Sequence, residues 1–104
     1  AEQAGDAAAR ARRLQDLRET WHQRLAQTRS SALLIRLVDA LFDRPILTIP
    51  QAQRLLDVTY PSAQRNVEKL VQAGILQLTG EAVYGKTYMA TEIMNVIGEE
   101  RTSG

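Results

Sequence analysis

The side chains best equipped for chemistry fall on one segment and the loop after it. Ser62, Gln64, Arg65, Glu68, Lys69 and Gln72 recur on the polar side of a helical pattern over residues 60–73, and Tyr84 and Lys86 follow in a glycine-bounded loop. Ser, Gln, Arg and Lys projecting from a helix can reach base edges or phosphates in a major groove. A helix N-terminus can also hold a phosphate. The same residue types cover a solvated helix face, or one turned toward a protein, so both readings stand. The supply of positive charge is thin. Residues 58–90 hold Arg65, Lys69 and Lys86 against Glu68 and Glu81. A surface that draws its affinity from released counterions needs more than that.

Other chemistry is narrowed by what the sequence lacks. It contains no cysteine, which removes disulfides, thiol catalysis and cysteine-ligated metals together. Its one histidine, His22, is too few for a zinc site, and it lies one position off an apolar stripe, where a surface role is expected. Phosphate-cradling glycine loops and nucleophile–base pairs are not visible. No catalytic, cofactor-binding or metal-ligating residue is therefore assigned, and no cofactor is expected. The 104 residues carry 13 basic and 12 acidic side chains, for a net charge of +1. That length fits one domain. Apolar runs stay well short of the roughly 20 residues a bilayer-spanning helix needs. The start, Ala1 to Arg13, is polar and rich in Ala and Arg, unlike a secretory signal. A soluble cytoplasmic chain with no membrane partner is expected.

Several elements must position these groups. Ala7, Leu14, Trp21 and Thr28 repeat every seven residues with Ala11, Leu17 and Leu25 between them, which predicts one long helix with a narrow apolar stripe and Asp6 as its cap. The stripe needs a partner: the rest of the chain, a second copy, or a neighbouring domain. Leu14, Leu17, Trp21 and Leu25 are its candidate interface. A second helix starts near Ser30 or Ser31, with Leu33, Leu34, Leu37, Val38, Leu41 and Phe42 on one face, and stops before Pro45. Ile46-Leu47 reads as extended. Thr48 and Gln51 have capping-box spacing around Pro50, opening a short third helix with Ala52, Leu55 and Leu56 inward.

Thr59-Tyr60-Pro61 repeats that opening and starts a fourth helix over residues 60–73, with Ala63, Val67, Leu70 and Val71 inward and Gly74 as its left-handed stop. Val58 is the apolar plug of the corner between the two. The period then becomes two. Residues 75–79 and 86–90 read as paired strands around an 80–85 loop, and Thr91 caps a last helix that frays after Gly98. The expected fold is α+β, mostly α: a winged helix-turn-helix with a long N-terminal helix and a short C-terminal one. Its divisions are an amphipathic linker or interface helix over 1–29, a winged-helix domain over 30–98 and a tail over 99–104.

The run Leu47-Thr48-Ile49-Pro50, Val58-Thr59-Tyr60-Pro61-Ser62-Ala63, Leu70-Val71, Ala73-Gly74-Ile75-Leu76, Thr79-Gly80 and Tyr88-Met89-Ala90 resembles the C-terminal region of bacterial Fic (filamentation induced by cyclic AMP) proteins. In that family a helical catalytic domain transfers AMP from ATP to a hydroxyl on a target protein, and a winged-helix domain follows it. The resemblance covers about the last three quarters of the chain, counted by whole elements. The first helix resembles the segment that links the two domains. The family's His-Pro-Phe and Asn-Gly-Arg signature is absent, since His22 is followed by Gln23 and Arg24. The resemblance thus implies a non-catalytic accessory domain, with the upstream Fic catalytic domain or a target protein as partner. The chain is then either an excised C-terminal fragment or a stand-alone domain, and the start Ala1-Glu2-Gln3, without methionine, favours the fragment. Where Fic wings often carry several basic residues, this one reads Glu81-Ala82-Val83-Tyr84-Gly85-Lys86. Two functions are expected from this reading. One is an accessory domain that docks a target, dimerises through the first helix or supports a catalytic domain. The other is a DNA-binding regulator using Ser62, Gln64, Arg65, Lys69, Tyr84 and Lys86.

Overall fold

A computed structural model describes residues 2–28, 31–82 and 85–102. The elements are α1 (Glu2–Leu25), α2 (Ser31–Asp43), β1 (Ile46–Thr48), α3 (Ile49–Leu56), α4 (Tyr60–Gln72), β2 (Gln77–Ala82), β3 (Gly85–Met89) and α5 (Thr91–Thr102). The architecture is α+β and mostly helical, with one antiparallel sheet in the order β1-β3-β2.

The α3–α4 corner follows from local chemistry. Thr48 Oγ1 accepts from the Gln51 N–H at 3.4 Å and Gln51 Oε1 accepts from the Thr48 N–H at 3.0 Å, closing the expected capping box. Asp57 ends α3 in the left-handed region (φ 56°, ψ 54°). Thr59 then caps α4 by accepting from the Ser62 N–H. Val58 lies half-buried between the two helices, packed against the core. Leu55 departs from expectation and stays 37% exposed. The inward arc of this eight-residue helix is taken by Ile49, Ala52 and Leu56, and Leu55 falls on its flank.

After α4 the chain makes a left-handed turn at Gly74 (φ 80°). The Gly74 N–H donates to the Val71 carbonyl and the Ile75 N–H to the Leu70 carbonyl, a paired C-terminal cap. The Leu76 N–H also returns to Leu70. With both amides spent on the helix end, Ile75 and Leu76 cannot enter a ladder. The strand begins at Gln77, later than its alternation suggests, and these two residues are buried in the core. The expected 80–85 loop is also shorter, because β2 runs on to Ala82 and pairs with Gly85. A bulge at Thr79 realigns the two strands: Leu78 opposes Tyr88 and Gly80 opposes Thr87. Val83 and Tyr84 lie outside the described residues.

Two further features were not legible from spacing. Ile46-Leu47-Thr48 joins the hairpin as a third strand, Leu47 opposite Tyr88, and the Ala90 N–H donates to the Pro45 carbonyl beside it. The partner of the α1 stripe is the same chain. Trp21 (1% exposed) and Leu25 (2%) are buried with α2 residues such as Leu34, Leu37 and Leu41, and the Trp21 ring lies 5.5 Å from that of Phe42. Leu14 and Leu17 cover the edge of that core. Helix α1 begins before Asp6, so Asp6 lies inside it rather than at its cap. Helix α5 starts at Thr91 itself and continues past Gly98 to Thr102, with Ile93 fully buried.

Truncation of Trp21 to Ala should cost about 3–5 kcal/mol, measured by urea unfolding, because it empties a site inside the main core. If α1 were an appended helix, the loss would be a small fraction of that. Gly74→Ala should cost about 1 kcal/mol in the same assay: a Cβ there meets open space, so only the left-handed backbone is penalised.

Candidate functional site

The outer face of α4 carries the side chains singled out for contact. Gln64, Arg65, Glu68, Lys69 and Gln72 are all exposed. Arg65 and Lys69 are one turn apart on one flank, and Ser62 lies beside them. Ser62 is half-buried and its backbone is engaged, its N–H with Thr59 and its carbonyl with Asn66 Nδ2 at 2.9 Å. Gln64, two residues from Ser62, projects about 200° away around the helix, so these two do not share a face. Arg65 and Lys69 form no ion pair among the described residues. Lys86 is exposed on β3, and its backbone pairs with that of Glu81. Tyr84 lies outside the described residues.

Arginines from the first two helices close the C-termini of the next two. Arg24 Nη1 donates to the Ala73 carbonyl at 2.9 Å, and Arg36 Nη2 to the Leu55 carbonyl at 3.1 Å. A guanidinium at a helix C-terminus satisfies a free carbonyl and meets the negative end of the helix dipole. Between α1 and α2, Asp39 accepts from Arg18 Nε at 3.0 Å and lies 2.6 Å from His22 Nε2. His22 is thus half-buried and bonded, not the solvated residue its position off the stripe suggests. Partial burial pushes the Asp39 carboxyl up. The hydrogen bonds from Arg18 and His22, and their charges, more than offset this and hold it below the ordinary aspartate value.

Sequence spacing missed Asn66, which is buried at 5% exposure on the inner arc of α4. Its Oδ1 has no hydrogen-bond partner among the described residues. The signal was present: Asn66 sits three residues after Ala63 and four before Leu70, inside the apolar arc. A shallow groove of about 250 Å³ lies between the end of α2, β1 and α3. Ala40, Leu47, Leu55 and Ile46 give it an apolar lining, with Asp43 and Arg44 at its rim. Among the described residues no group of His, Cys, Asp or Glu could hold a metal ion, and no helix is long and apolar enough to cross a membrane. No protein-family model matches the chain, and no curated protein is significantly similar to it.

The Asp39 cluster sets a pH dependence. A carboxyl with a lowered folded pKa contributes stability that is complete above the unfolded value, about 4, and is lost as pH falls through the lower folded value. Urea midpoints of the wild type and Asp39→Asn should therefore differ at pH 6 and converge toward pH 2. A constant difference across that range would contradict the assignment. At neutral pH the expected cost of Asp39→Asn is about 1 kcal/mol or less, since the Asp39 side chain is 37% exposed and that of Arg18 49%.

Proposed function

We propose that the chain is a non-catalytic protein-docking domain with a winged-helix layout, of the kind that follows the catalytic domain of Fic-type AMP-transferases. In this reading α2, α3 and α4 are the three helices, β1 is the first strand, α3–α4 is the helix-turn-helix and β2–β3 is the wing. The Fic assignment draws on the Thr-Tyr-Pro-Ser-Ala entry to α4 and the Leu-Val-x-Ala-Gly-Ile-Leu that leaves it. A His-Pro-Phe and Asn-Gly-Arg signature in the reading frame upstream is expected, and its absence there would remove the AMP-transferase assignment.

The observation that carries docking over nucleic-acid binding is the charge of the α4 face. Two cations, Arg65 and Lys69, share it with the exposed Glu68. A phosphate-tracking helix gathers several basic residues on one side and excludes acids. A second reading, a DNA-binding regulator, draws support from the fact that Arg65 and Lys69 stand adjacent without an ion-pair partner among the described residues.

Anisotropy titration of a labelled duplex at low salt separates the two. No saturable binding is expected. A complex whose log affinity falls with log salt at a slope of about −2 to −3, and which Arg65→Ala or Lys69→Ala weakens, would replace docking with DNA recognition.

A further inference from the structure

We infer that the apolar groove between α2, β1 and α3 is a two-fold interface with a second copy of this chain. The inference stands on the groove alone and goes beyond the docking reading, whichever family the domain belongs to.

Strand β1 is an edge of the sheet, with β3 on one side and, among the described residues, no strand on the other. The Ala90 N–H bonds to the Pro45 carbonyl and Leu47 opposes Tyr88. Alternation along an antiparallel pair then turns the backbone N–H and C=O of Ile46 away from β3. The Ile46 side chain is 47% exposed, and Leu55 stands 37% exposed in the same groove. An open edge carrying a branched apolar residue is a liability that folded proteins blunt with charge, proline or a bulge, or else cover. At the far edge, β2 has such a bulge. The β1 edge has Pro45 before it but leaves the Ile46 side chain exposed, while Leu47 is buried in the core.

The rim charges say what covers it. Asp43 and Arg44 are adjacent, exposed and without ion-pair partners among the described residues. A patch built for an acidic or basic partner carries one sign. A patch that meets its own copy across a two-fold axis must be complementary to itself. One acid beside one base meets that condition: with the axis at the α2–β1 junction, Asp43 of each copy faces Arg44 of the other. Ile46 and Leu55 of the two copies are then sealed beneath, which leaves an apolar centre inside a charged rim.

Sedimentation equilibrium of the full chain tests this with four samples: wild type, Asp43→Arg, Arg44→Asp and an equimolar mixture of the two variants. Circular dichroism checks folding, and Asp43→Arg should be well tolerated because it places a cation at a helix C-terminus. The wild type should dimerise. Each variant alone sets like charges against each other and should raise the dimer Kd by about tenfold or more. The mixture should dimerise again, because an Arg-Arg rim meets an Asp-Asp rim. A wild type that stays monomeric at every concentration overturns the inference and leaves the groove to an unrelated partner. Variants that dimerise as well as the wild type also overturn it. So does a dimer dispersed by Leu17→Glu but not by Asp43→Arg, which would place the contact on α1.

Discussion

The reversal at Asp57 is the constraint on which the rest of the structure depends. A non-glycine residue in the left-handed region costs about 1 kcal/mol or more, and Asp57 is the one such residue among those described. It is held there from both sides. The Asp57 N–H donates back to Gln53, and Thr59 two residues later has already committed its hydroxyl to α4. Helix α3 has eight residues, far below the length at which an isolated helix persists in water. It exists because its ends are fixed and its inner arc is buried. If the corner at Asp57 opened, Ile49, Ala52 and Leu56 would lose their burial and β1, which feeds directly into α3, would lose its register on β3.

How much of this was legible depends on the range of the interaction. The capping box at Thr48, the stop at Gly74 and the break before Pro45 are chemistry among neighbours, and spacing was enough to find them. The strand start at Gln77 was not, because the Ile75 and Leu76 amides are claimed by Leu70, a competition that alternation of side chains does not register. The third strand was missed for a related reason. Three residues carry no period of their own, and only β3, some 40 residues away in sequence, makes Ile46–Thr48 a strand. Of the contact residues, the exposure of Arg65 and Lys69 followed from helical phase, but the grouping of Ser62 with Gln64 on one polar side did not hold, since two residues along a helix are turned about 200° apart. The Arg18–Asp39–His22 cluster could not be found that way, since it joins two helices whose relative rotation no single-helix pattern specifies.

Helix α1 is tied in by two kinds of force that act at different places. Trp21 and Leu25 anchor it by burial, while Arg18, His22 and Arg24 fix its rotation through bonds to Asp39 and to the end of α4. Ala7 to Ala9 and Ala11 to Arg13 remain exposed at the other end. The helix is thus half core element and half projection, and it connects anything attached to that projection with the C-terminus of α4 through the Arg24 guanidinium.

The bulge at Thr79 has a consequence for how far copies of this chain can build on one another. It offsets the outer strand of the hairpin by a residue, so that flank offers a growing sheet no regular row of donors and acceptors. The flank at Ile46 remains the smooth one. Under the pairing inferred above, a molecule with a single adhesive side is spent after one encounter, so assembly would end at a pair where two such sides would propagate a filament.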